Sequence, residues 1–137
     1  VLPLRRTADS LQTLLDQHGF DSSNLSFLDI VSKHIGSSLK NKKAKYLQQV
    51  NLDMLHEKIE ESVTSLGPSP KSLIIEDFHI LIPHYGEQKT KKFIEELHNK
   101  MHQSFAKTII LADSNKLPNG ISKYLFSISE DIIEIPK

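Results

Sequence analysis

Acidic side chains that stand directly after apolar runs are the groups in this sequence best placed to do chemistry. In an open parallel sheet, ligands gather outside the carboxyl ends of the strands. Three acidic or polar groups fall at such ends: Asp29, Glu76 with Asp77, and Asp113 with Ser114. The sharpest is Leu73-Ile74-Ile75-Glu76-Asp77. An apolar strand that ends in an acid is the arrangement with which a nucleoside triphosphatase holds its magnesium, usually through water. Asp77, with Glu76 beside it, is therefore the candidate cofactor-side acid. The same arrangement also has a plain structural use, because a carboxylate there caps the following turn or accepts from backbone amides.

Other chemistries find less. The seven histidines include His98 and His102, four apart on an expected helix with Glu95 one turn earlier, and His79 and His84 after Asp77. That spacing would let three ligand-type side chains share a face. However, the stripe Phe93, Leu97, Met101 and Phe105 claims the buried face and displaces both histidines to its flank, and there is no His-Glu-x-x-His sequence. Solvated or partly packed imidazoles titrating between about pH 5 and 7 are expected, and no metal. The absence of cysteine excludes disulfides, thiolate zinc sites and cysteine nucleophiles. No Gly-x-Ser-x-Gly elbow supports serine catalysis. Lysine and arginine total 17 and so do aspartate and glutamate, which excludes a strongly polyanion-seeking protein but not a local patch. Residues 1–50 hold seven basic and four acidic side chains. Arg5, Arg6, Lys40, Lys42, Lys43 and Lys45 are the candidate contacts to nucleic acid or a partner. Tyr46 is the one aromatic near the lysines, so no stacking platform is evident and a solvated loop is the plainer expectation.

The elements that must position these groups alternate. Val1–Leu4 is a short apolar edge. Thr7 suits a helix N-cap, and Leu11, Leu14 and Leu15 recur at helical spacing until Gly19. The sequence predicts a strand over Asn24–Ile30, a polar loop over Gly36–Lys43 and a weaker strand over Tyr46–Val50. Asn51 caps a helix whose stripe is Leu52, Leu55, Ile59, Val63 and Leu66, stopped by Gly67-Pro68-Ser69-Pro70. A strand over Ser72–Ile75 precedes a helix over Glu87–Phe105 with Phe93, Ile94, Leu97, Met101 and Phe105 inward. Then come a strand over Thr108–Leu111, a turn at Pro118-Asn119-Gly120, a short helix near Ile121–Leu125 and a last strand over Asp131–Ile135. Apolar strands separated by helices predict an α/β, three-layer protein with a mostly parallel sheet and helices on both faces. The 137 residues suit a single domain. No apolar stretch approaches the ~20 residues of a membrane span, and Val1-Leu2-Pro3-Leu4-Arg5-Arg6 does not read as a signal peptide. A cytoplasmic protein is expected. The chain starts without methionine and inside an apolar run, as a fragment or processed piece would.

In order and pattern the chain resembles KaiC-type RecA-like ATPases. The residues that carry the resemblance are the apolar Val1–Leu4, the phrase Ala8-Asp9-Ser10-Leu11-Gln12-Thr13-Leu14-Leu15, and the break His18-Gly19-Phe20-Asp21. The strand ending at Asp29, Leu73-Ile74-Ile75-Glu76-Asp77 in the Walker B place, and then in matching order the helix Glu87–Phe105 and the strands Thr108–Leu111 and Asp131–Ile135 complete it. The resemblance covers nearly the whole chain through few specific motifs, and implies a RecA-like fold with Asp77 as the magnesium-side acid. The departures carry more weight. No Gly-x-x-x-x-Gly-Lys loop is present, and the glycines stand singly at 19, 36, 67, 86 and 120, so nothing replaces it. Where the family ends its second strand in a glutamate pair that activates water, this chain has Arg5-Arg6. Arginine stays protonated in proteins and cannot be a general base. The resemblance thus implies a non-catalytic interaction or regulatory module without a cofactor, acting through a protein partner or self-association. Two alternatives stand beside it: a fragment of an ATPase whose P-loop lies upstream of residue 1, and a nucleic-acid-binding accessory domain.

Overall fold

Local signals in the sequence place the helices. The computed structural model describes residues 1–48 and 51–136. The Thr7 hydroxyl accepts from the Ser10 amide at 3.0 Å and opens α1 (Ala8–Gln17). Asn51 does the same for the Met54 amide at 2.7 Å and opens α3 (Leu52–Ser65). Between them lies α2 (Ser32–Ile35), a single turn closed by Gly36 at φ +68, a conformation glycine adopts without steric cost. Then come α4 (Leu81–Tyr85), α5 (Glu87–Gln103) and α6 (Asn119–Ile128). Burial outweighs these caps. α3 sinks Leu52, Leu55, Ile59 and Val63 into the core, each stabilising by roughly 1.5–3 kcal/mol against about 1 kcal/mol for a good cap.

The strands are β1 (Leu2–Pro3), β2 (Phe27–Asp29), β3 (Ala44–Tyr46), β4 (Lys71–Glu76) and β5 (Ala106–Ile110). β4 lies between β1 and β5, parallel to both, with Leu2 opposite Ile75 and Ile74 opposite Ile109. β2 and β3 form a second parallel pair, with Asp29 opposite Tyr46. The two sheets meet side by side: the Val1 nitrogen donates to the Ser26 carbonyl at 2.6 Å, and the Leu28 amide donates to the Val1 carbonyl at 2.9 Å. The order across the molecule is therefore β3-β2-β1-β4-β5. Pro3 explains why the junction is so short, since it has no N–H with which to continue a ladder toward β2.

Side-chain alternation divides the sheet into two unequal faces. Leu2, Leu28, Leu73 and Ile75 pack with α3, α5 and α6 in the main core. On the other face Phe27, with Val1 and Ala44, packs under Ala8 and Leu11 of α1. This second cover stops at β1. Further along the same face, Ser72 of β4, Lys107 and Ile109 of β5, and the adjoining Leu111 are exposed. The chain is α/β with a small parallel sheet, as expected, but the expected double cover reaches only part of it.

Four expectations need correction. The strand over Asp131–Ile135 does not form; residues 131–136 are irregular and exposed. Their composition suits a strand, yet a strand persists only where a neighbour completes its ladder. Phe105 is not part of the inward stripe: α5 ends at Gln103, and Phe105 sits at φ +54 with its side chain 92% exposed. It is the residue that turns the chain from α5 into β5, and that turn swings its ring outward. Leu66 likewise falls past the last turn of α3 and is exposed. The weak strand expected over 46–50 is displaced to Ala44–Tyr46, and residues 49 and 50 lie outside the described residues.

Because Phe105 holds a left-handed conformation and buries almost nothing, Phe105→Gly should raise stability by about 1 kcal/mol. A denaturant titration monitored by circular dichroism would show the midpoint moving up. An unchanged or lower midpoint would mean that the ring contributes packing.

Candidate functional site at the carboxyl ends of the strands

Parallel pairing brings the ends of β1, β2, β4 and β5 to one rim, and each end carries a polar group. At the end of β2, Asp29 is completely buried. Oδ2 accepts from the Ala8 amide at 2.8 Å and the Ser32 hydroxyl at 2.6 Å. Oδ1 accepts from the amides of Val31 at 2.9 Å and Ser32 at 2.8 Å. Burial pushes the carboxyl up, but these donors outweigh it and hold its pKa below the ordinary aspartate value. Asp29 is therefore a structural acid, tying the starts of α1 and α2 to the sheet.

At the next pair of ends, Arg6 follows β1 and Glu76 closes β4. Pro3 pairs with Glu76 in the ladder, and that register carries the Arg6 guanidinium to 3.2 Å from Glu76 Oε1. The other oxygen, Oε2, is buried with no hydrogen-bond partner. Burial raises the Glu76 pKa, the Arg6 charge opposes this, and neighbouring Asp77 adds to the rise. Asp77 itself is half-buried at φ +59, a conformation that aspartate tolerates better than most residues. Its backbone starts the 3₁₀ turn Phe78–Ile80, whose Ile80 amide donates to the Asp77 carbonyl at 2.9 Å. No hydrogen bond or ion pair to the Asp77 carboxylate is found among the described residues.

Beyond β5, the Asp113 amide donates to His79 Nδ1 at 3.1 Å, which joins the loops after β4 and β5. His79 is buried, and accepting at Nδ1 places any ring proton on Nε2. The Asp113 carboxylate accepts from the Asn115 amide at 3.1 Å and caps a 3₁₀ turn over Ser114–Lys116. His98 and His102 have ring centroids 6.4 Å apart. Among the described residues, no group of three or more histidine, aspartate or glutamate side chains is arranged to hold a metal ion.

The candidate cations do not form one surface. Arg5 and Arg6 follow β1 at the carboxyl rim, whereas Lys40, Lys42 and Lys43 precede β3 at the opposite rim. Among the described residues, three of the six have partners within the protein. Arg6 is paired with Glu76, Lys45 lies 3.2 Å from Glu61, and Lys43 donates to the Ser22 carbonyl at 2.8 Å. The Arg6–Glu76 pair was not legible from spacing, because it depends on β1 lying directly beside β4. Ser32 as a partner of Asp29 was closer to hand: acid-x-x-Ser after a strand is a capping pattern.

Comparison with known proteins finds no family model that matches the chain, no similar curated protein and no matching solved structure.

Two outcomes follow from these carboxylates. Asp29→Ala leaves buried amides unpaired at about 1–3 kcal/mol each, so a loss of at least about 3 kcal/mol is expected in a urea titration. Because the Asp29 pKa is depressed, its contribution is complete above the unfolded value near 3.9 and is lost as pH falls through the folded value. The acid limb of the wild-type stability profile should accordingly flatten in Asp29→Asn.

Glu76 has the opposite sign. Its raised pKa means the folded state holds a proton that the unfolded state has released, so ionisation costs stability as pH rises above the ordinary glutamate value near 4.3. Glu76→Gln should gain on wild type as pH rises from the ordinary glutamate value through the raised folded one. Melting curves for both proteins as pH rises from about 4 test the sign; a variant that falls behind as pH rises would mean the Arg6 pair dominates.

Proposed function

We propose that this chain is a non-catalytic RecA/KaiC-like module whose role is interaction with a protein, including a second copy of itself. The observation that carries the reading is the Arg6–Glu76 contact of 3.2 Å at the rim where such a sheet would bind its ligand. A cation stands where the resembled ATPases place a water-activating acid, and it is held there by the chain's own carboxylate. The rim also offers little to a phosphate. The start of α1 is a potential anion site, but Asp29 takes the Ala8 amide and Thr7 takes the Ser10 amide. The side-by-side order of β2, β1, β4 and β5 supports a RecA-like reading of the sheet, with β5 left at its edge. The separation of the two lysine and arginine groups to opposite rims weighs against nucleic acid as the partner.

On this reading, Mg-ATP binds no tighter than roughly millimolar, about 4 kcal/mol. Isothermal calorimetry with Mg-ATP should show no saturable heat at micromolar concentrations, and magnesium should leave the melting temperature of wild type and Asp77→Asn unchanged alike. Micromolar binding, or a magnesium shift seen only in wild type, would favour the ATPase reading instead.

A further inference from the structure

The chain carries both an unfinished sheet edge and an unpaired segment with the chemistry of a strand. β5 ends its sheet. The Leu111 amide donates to the Ile75 carbonyl, so the odd-numbered backbone groups of this strand face β4. By alternation, the N–H and C=O of Thr108 and Ile110 face outward, where no strand pairs with them among the described residues. An exposed apolar edge of this kind is a template for another chain. The row beside it, Lys107, Ile109 and Leu111, is exposed on the bare face of the sheet, with Ile109 at 46% and Leu111 at 47%.

The segment after α6 matches that row. Ser129 ends the helix in an extended conformation, its amide donating to the Leu125 carbonyl, and sends the chain away from the core. The residues that follow, Asp131-Ile132-Ile133-Glu134-Ile135, leave Ile133 84% and Ile135 83% exposed. Laid parallel to β5 with Asp131 opposite Lys107, the segment sets Ile133 opposite Ile109 and Ile135 opposite Leu111. One opposite-charge pair and two aliphatic pairs then fall on one face, the kind of cross-strand match that stabilises a sheet. The antiparallel alternative puts Asp131 against Leu111 and leaves Lys107 without its acid. In the chain's own structure the segment is exposed and forms no ladder with β5 among the described residues, so edge and segment are both open to a second molecule.

We infer that two copies of this chain exchange their 131–135 segments, each adding as a parallel strand to the β5 edge of the other. The inference rests on the reading of the chain as an assembling module and names its partner. Reciprocal exchange uses both edges and both segments, so assembly closes at two.

The test is the solution mass from about 10 µM to about 1 mM at pH 8. Light scattering of the full chain should rise from one chain's mass to two and stop. The doubled variant Ile133→Asp with Ile135→Asp changes only exposed side chains and should stay monomeric with an unchanged circular dichroism spectrum. Thr108→Pro removes an outward amide that β4 does not use, and should also be monomeric. Lys107→Asp should weaken the dimer at least several-fold, and adding Asp131→Lys should restore it. A labelled peptide of residues 130–136 should bind the doubled variant, whose own segment cannot compete. A wild type that stays monomeric at the highest concentration overturns the exchange, as does a dimer that survives the doubled variant or growth past two chains. A monomer that also fails to bind Mg-ATP leaves the non-catalytic reading standing, whereas micromolar Mg-ATP binding removes that reading whatever the mass.

Discussion

The Asp29 carboxylate is enclosed without solvent contact, and it is tolerable as an ion only because both oxygens are saturated by donors from two separate helix starts. An ionised group moved out of water costs far more than any one hydrogen bond returns, so a buried carboxylate requires several at once. That demand sets geometry. α1 must begin close enough to β2 for the Ala8 amide to reach Oδ2, and the chain after β2 must turn at once into α2 so that Val31 and Ser32 reach Oδ1. The α1 cover of the second face, through Ala8, Leu11 and Phe27, follows from this anchoring.

The remainder of the carboxyl rim is built the same way, with polar groups consumed internally. Arg6 and Glu76 face each other because Pro3 and Glu76 are ladder partners, and His79 receives the Asp113 amide because β4 and β5 end side by side. Glu76 is imperfectly satisfied, with one oxygen on Arg6 and the other buried without a partner among the described residues. Such a group is retained at a cost in stability, which is why its ionisation and that of Asp29 act on the fold with opposite signs.

Away from the rim the sheet is unevenly finished. Between β4 and the main helices the core is continuous, from Leu73 and Ile75 through Ile59, Phe93 and Leu97. On the reverse side α1 protects only the β1–β3 part. Pro3 breaks the hydrogen-bond ladder between the two sheets, so their relative placement depends on side chains and on the Val1 pairing with Ser26 and Leu28. β5 is thus supported on one face and one edge, and among the described residues no strand pairs with its outer edge, beside which Ile109 and Leu111 stand exposed.

Elements with strong local signals were legible in the sequence. α1 and α3 could be placed from Thr7 and Asn51 because a cap and an apolar period act within one or two helical turns. β4 could be placed from its unbroken run, and the α/β class from the alternation of the two. Asp29, Glu76, Asp77 and Asp113 could be located at strand ends for the same reason. The sequence could not say what those acids do. Asp29 as an anchor, Arg6 as the partner of Glu76 and His79 as an acceptor all depend on which strands lie adjacent, and adjacency is decided by packing across the whole chain. Phe105 shows the converse, where a correct helical period ran two residues past the point at which the chain had to turn into β5. The 131–135 segment shows it for strands. Its residues favour extended backbone, but a strand exists only when a neighbour completes its hydrogen bonds, and that neighbour is a property of tertiary structure.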